Sequence, residues 1–214
     1  MNSIRHRRSS LAWAIALALC AGMYAALGPF SRAAATDSRE FSSQEAEQLR
    51  AGKLVVRPEQ RTLRGAHLLG GLSWQLIRAT PATVWRAMTD VHAYTQVLPA
   101  VEETRLIDMV GPTQRVFVRH RLGFITGSYT VGLTQDPKHG RIRFRLDRNF
   151  PSSIRDAWGE ISVTGYANQQ SVVSLAIMAD LGEGLFVGLV RSNVHEWMLR
   201  VPEQLKRYVE SGCH

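Results

Sequence analysis

The chain has 214 residues, with 26 Lys and Arg against 18 Asp and Glu, a formal charge of +8, 45% hydrophobic residues and 2 cysteines. That length supports one domain with its own core, and so few cysteines exclude a disulfide-built scaffold. The excess charge is concentrated at the N-terminus, which removes most of the case for a nucleic-acid partner.

Residues 1–35 have the layout of a signal peptide. Arg5, Arg7 and Arg8 precede an apolar stretch from Leu11 to Leu27, Gly28-Pro29 stops its helix, and Ala33-Ala34-Ala35 offers the small-x-small cleavage pattern. The stretch is at the short end of what spans a bilayer, so retention as a membrane anchor is the alternative, with lipidation at Cys20 as a variant. Cleavage after Ala35 removes four of the 26 basic residues (Arg5, Arg7, Arg8, Arg32) and none of the 18 acidic ones, leaving a charge near +4. The expected location is periplasmic or secreted. Cys213 is then the one remaining cysteine, so no internal disulfide can form.

Residues 36–51 read as a linker and a short helix, in which Ser42 and Glu45 have the spacing of a capping box and Gly52 ends the turn. Residues 52–210 form the expected domain, and 211–214 a tail. Leu54-Val55-Val56 predicts a short strand, Arg57–Gly65 a polar loop, and His67–Ala79 a second strand. Thr80-Pro81 starts a helix, with threonine at the cap and proline in the first turn. Val84, Trp85 and Met88 give it an apolar stripe. Asp90 ends that helix or caps the next, where Tyr94, Val97 and Leu98 continue the stripe and Pro99 closes it.

Strands follow near 102–110, 114–122, 125–135, 140–148, 157–165 and 170–180, punctuated by Gly111-Pro112, Pro137…Gly140, Pro151 and Gly165…Asn168. Six strands with short links predict an antiparallel meander. A helix from about Glu183 to Glu210 completes the chain. Its apolar stripe runs through Phe186, Leu189, Val190, Val194, Trp197, Val201, Leu205 and Val209, with a kink near Met198–Val201 caused by Pro202.

Alternation assigns the faces of the strands. Val116, Val118 and His120 alternate with Arg115, Arg119 and Arg121; Ile142 and Phe144 alternate with Arg141, Arg143 and Arg145. The apolar sets face inward, with Tyr129 and Val131 beside them. The arginines face out, either as a basic surface for anionic lipid headgroups or as partners of Glu102, Glu103, Asp147 and Glu160. A sheet curled around one helix leaves space between them, and the expected ligand wall is Val116, Val118, His120, Tyr129, Val131, Ile142, Phe144, Phe186, Val190 and Trp197.

No constellation points to catalysis or to a cofactor. The glycines of Asp180–Gly188 miss the dinucleotide spacing, Gly71-Leu-Ser-Trp-Gln75 lacks the last glycine of a nucleophile elbow, and the histidines show no metal-ligand spacing. His120 and Asp90 are the two groups available for acid/base work in a catalytic alternative.

Pro81…Val84-Trp85…Thr89-Asp90…Tyr94…Leu98-Pro99-Ala100-Val101 with the strand Glu103–Ile107 resembles the START/Bet v 1-like (SRPBCC) superfamily, in its polyketide cyclase and coenzyme Q-binding branch. Ile154-Arg155-Asp156-Ala157-Trp158-Gly159 and the C-terminal helix with its internal proline are similar to exported bacterial members. The resemblance implies an α+β helix-grip fold, a curved antiparallel sheet around a long C-terminal helix with two short helices after the first strand. The cavity this fold implies is expected to hold a hydrophobic small molecule, a lipid or quinone. Transient contact at a membrane surface is the expectation for the basic face, and the charge and motif readings lead to no expected nucleic-acid partner or cofactor. A cyclase- or hydrolase-like activity in the same cavity is the alternative.

Overall fold

The computed structural model describes residues 41–63, 65–182 and 194–212. The signal-peptide reading of residues 1–35 and the sites Phe186 and Val190 lie outside them. Helix α1 is Ser43–Arg50, and both halves of its capping box form: the Glu45 amide donates to Ser42 Oγ at 3.2 Å and the Ser42 amide donates to Glu45 Oε2 at 2.8 Å. Strands β1 (Val55–Leu63) and β2 (Ala66–Ile77) make a long antiparallel hairpin. Most of the loop expected at Arg57–Gly65 is therefore strand. Its polar composition belongs to a sheet edge facing water, where Pro58 lacks only an outward-facing N–H.

Helix α2 (Pro81–Thr89) begins as expected, with the Thr83 amide donating to Thr80 Oγ1 at 3.2 Å. Asp90 serves both roles open to it, ending α2 and capping a 3-10 turn at Val91–Ala93 by accepting from the His92 amide at 2.9 Å. Helix α3 (Tyr94–Val97) is tied back to α2 by Tyr94 Oη, which donates to the Met88 carbonyl, and the 3-10 turn is held by Thr104 Oγ1, which donates to the Val91 carbonyl, each at 2.9 Å.

Six strands then form the meander: β3 (Val101–Val110), β4 (Thr113–Leu122), β5 (Ile125–Asp136), β6 (Arg141–Leu146), β7 (Asp156–Gly165) and β8 (Ser171–Asp180). The sheet order is β1-β2-β8-β7-β6-β5-β4-β3, antiparallel throughout, so β8 returns to β2 and leaves β1 and β3 as edges. The outward arginines are paired along this surface. Arg119 bridges Glu102 and Glu103, Arg115 lies 3.0 Å from Asp147, and Arg143 lies 3.7 Å from Glu160.

The helix expected over Glu183–Glu210 lies outside the described residues from 183 to 193; the rest of it is two helices, α4 (Val194–Leu199) and α5 (Val201–Glu210). The break at Arg200 falls inside the expected kink. The Arg200 amide donates to Trp197 O in a tightened last turn, and Pro202 occupies the first turn of α5, where its missing N–H costs nothing. Helix α5 faces the sheet through Leu205 and Val209, which join Ile77, Val84, Met88, Val116, Val118, Ile142 and Val173 in one buried cluster. Each such side chain contributes about 1.5–3 kcal/mol by leaving water. Two polar ties fix the helix: Lys206 Nζ donates to the Gly52 carbonyl at 2.8 Å, and the Arg78 amide donates to Glu210 Oε1 at 2.9 Å. The sheet grips the terminal helices, which is the architecture the resemblance implies.

Candidate functional site

A cavity of about 180 Å³ lies between the sheet and the terminal helices. One wall is strand: His120 of β4, Gly127, Tyr129 and Val131 of β5, Phe144 of β6, and Ala157, Ile177 and Ala179 of β7 and β8. The facing wall is helical, with Trp197 and Met198 of α4 and Val201 of α5. The turn Leu98-Pro99-Ala100, Ser153-Ile154 and Leu181 complete the lining among the described residues. Aliphatic and aromatic side chains dominate, which suits an apolar guest and repels a charged one.

Local sequence explains the shape of the wall. Phe144 pairs with Gly159 across β6 and β7, and a Cβ on Gly159 would stand 2.4 Å from Phe144 Cζ. Glycine there lets the Phe144 ring lie against the sheet. Ala100 adopts φ 55°, a left-handed conformation uncommon for a residue with a Cβ, at the turn from α3 into β3. The Ala100 carbonyl accepts from the Arg121 amide at 2.9 Å, and the Pro99 carbonyl meets the His120 ring.

His120 and Tyr129 are the polar pair of the cavity. His120 Nδ1 lies 3.1 Å from the Pro99 carbonyl oxygen, and His120 Nε2 lies 2.8 Å from Tyr129 Oη. Burial lowers the His120 pKa below 6.5, against a smaller upward pull from the Pro99 carbonyl; burial likewise raises that of the Tyr129 hydroxyl. Both groups are thus held neutral near pH 7. A carbonyl oxygen only accepts, so Nδ1 carries the imidazole proton and Nε2 accepts from the Tyr129 hydroxyl.

The structure distributes the sequence-derived residues unequally. His120, Tyr129, Val131, Phe144 and Trp197 line the cavity. Val116, Val118 and Ile142 do not; they are 0%, 1% and 2% exposed inside the packed cluster, because the inward face of a strand continues past the cavity to where α2, α3 and α5 fill the space. Asp90 is spent on its cap and does not line the cavity. Sequence reasoning missed the Pro99 carbonyl, which is backbone and leaves no mark in residue type. It also missed Ile154 and Met198, for which flanking apolar character was the available signal. Among the described residues no His, Cys, Asp and Glu side chains gather into a metal-holding group, and no helix is long and apolar enough to cross a membrane.

The family model described as polyketide cyclase / dehydrase and lipid transport matches residues 75–210. No curated protein matches the sequence. The fold is similar to that of the STAR-related lipid transfer protein from Xanthomonas axonopodis, with 14% identity over 73% of this chain and 98% of that one and a TM-score of 0.59. A protein from Thermus thermophilus gives 18% identity over 67% and 98% of the two chains, with a TM-score of 0.57. A START superfamily protein from Mycobacterium smegmatis gives 12% identity over 65% and 96%, with a TM-score of 0.54. These likenesses concern the fold alone, whereas the family match covers most of the gripping domain, cavity included. The chain therefore belongs to the polyketide cyclase / dehydrase and lipid transport family.

Proposed function

We propose that this protein is exported and binds a hydrophobic small molecule of the lipid or quinone class in its cavity, carrying it without altering it. The observation that supports this reading is the cavity itself: an apolar chamber with one neutral polar pair on its wall and no charged side chain among the described lining residues. The family description, which includes lipid transport, and the lipid-transfer name of the Xanthomonas relative agree with it. Export rests on the leader layout of residues 1–35.

Native mass spectrometry of the exported protein tests both parts. The expected result is a chain starting near residue 36 with a co-purifying apolar molecule, lost when Val131→Phe projects a ring into the cavity. A protein that carries no such molecule, and takes none up after delipidation, overturns the binding function.

A catalytic reading has one observation in its favour, the His120–Tyr129 pair, since a neutral imidazole beside a phenol can move a proton. Its mark is turnover of a hydrophobic substrate that His120→Ala abolishes while binding persists. Asp90 takes no part in that reading, because its carboxylate holds the His92 amide.

A further inference from the structure

The hydrogen bonds in the cavity wall run in one direction. The Pro99 carbonyl accepts from His120 Nδ1–H at 3.1 Å, and His120 Nε2 accepts from Tyr129 Oη–H at 2.8 Å. The chain cannot reverse while the imidazole is neutral, because its far end is a carbonyl that has no proton to give. The Tyr129 hydroxyl has therefore committed its hydrogen to the protein. Its remaining lone pairs accept, and among the described residues no second group donates to them. A phenol oxygen that lines an apolar cavity in this state is an acceptor waiting for a donor.

We propose that the cavity selects apolar alcohols, with the ligand hydroxyl donating its hydrogen bond to Tyr129 Oη. This deepens the binding function proposed above and rests on it. A ligand whose one polar group is a ketone or ether oxygen meets Tyr129 acceptor to acceptor and leaves the Tyr129 oxygen without a donor in a mostly apolar site. An alcohol supplies the missing donor and keeps its own oxygen free to accept, which also suits the remaining polar side chains of the wall. Those are Ser153, whose Oγ already accepts from the Ser128 amide at 3.0 Å, and the donor-only indole of Trp197. Within the lipid and quinone class, the selection favours hydroxyl-bearing lipids and reduced quinols over oxidised quinones.

The test is a competition among three probes of matched size: dodecan-1-ol, 1-methoxyundecane and dodecan-2-one. They are offered together to the delipidated protein and read by native mass spectrometry. The alcohol is expected to bind at least about tenfold more tightly than either rival, the ratio that about 1.4 kcal/mol of selection produces. In Tyr129→Phe the alcohol's advantage should fall to about twofold or less, with the ether and ketone little changed, as expected when the single acceptor that discriminates them is removed. Equal occupancy by the three probes in the native protein, or a preference for the ketone, overturns the selection while leaving the cavity a binding site. Uptake of none of the three overturns the binding function itself. The native comparison decides the matter even if Tyr129→Phe does not fold.

Discussion

At one end of the space between sheet and helix, Leu205 and Val209 of α5 share a buried cluster with Ile77, Val84 and Val173. At the other end, Trp197, Met198 and Val201 face Tyr129, Phe144 and Ile177 across a cavity. The residue types hardly differ, and both sets obey the same strand and helix periodicities. The packed end has α2 and α3 as additional walls, tied down by Tyr94 Oη and Thr104 Oγ1. The cavity end has the Leu98–Ala100 turn, whose backbone carbonyl is turned onto a histidine. A face that points inward is therefore not yet a binding face; the third layer decides which part of it stays hollow.

The comparison breaks most readily at the packed end. Leu205→Ala should cost about 2–5 kcal/mol, because neighbours held by three elements cannot collapse into the void; urea unfolding measures it, and a loss under about 1 kcal/mol would erase the distinction between the two ends. At the hydrogen-bonded pair, Tyr129→Phe leaves His120 Nε2 with no donor and should cost about 1–3 kcal/mol in the same assay. Val131→Phe should block ligand uptake yet change stability by less than about 1.5 kcal/mol, since the added ring enters a space that is empty. The same ring at Val118, 1% exposed in the packed cluster, should be far more costly, so the two variants together locate the boundary between filled and hollow.

Two smaller effects sharpen the picture. Burial holds the His120 pKa below 6.5, so the unfolded chain binds more protons than the folded one just under that pH. This residue's contribution is complete above pH 6.5 and declines as the pH falls toward the folded-state pKa. Unfolding free energies between pH 5 and 7, the native protein against His120→Gln, should show the slope vanish in the variant; identical slopes would assign it elsewhere. On the outer face, Arg143→Ala should change stability by less than about 0.5 kcal/mol, because its pairing with Glu160 at 3.7 Å is exposed. A larger loss would mean that the arginine rows hold the sheet together as well as solvating it.

The strands of the meander, the capping box at Ser42, the boundary at Asp90 and the break before Pro202 were all legible in residue order. Each is a local effect: side-chain alternation, an orphan N–H met three residues away, or a ring that cannot continue a helix. The Arg57–Leu63 half of β1 was not legible, because a water-facing edge strand has the composition of a loop. Five of the proposed wall residues line the cavity, while Val116, Val118 and Ile142 belong to the core. Alternation has a period of two along a strand and carries no information on how far along that strand the opposite wall stands away.

The sequence by itself determined an antiparallel meander and a proline-broken terminal helix, because periodicity, capping and turn chemistry act within a few residues; the grip came as what the family resemblance implies. Only the tertiary structure decided where the interior stays empty and which way its one polar pair points. Those depend on Pro99, His120 and Tyr129 meeting from three separate elements, and on a backbone carbonyl whose direction no side chain encodes.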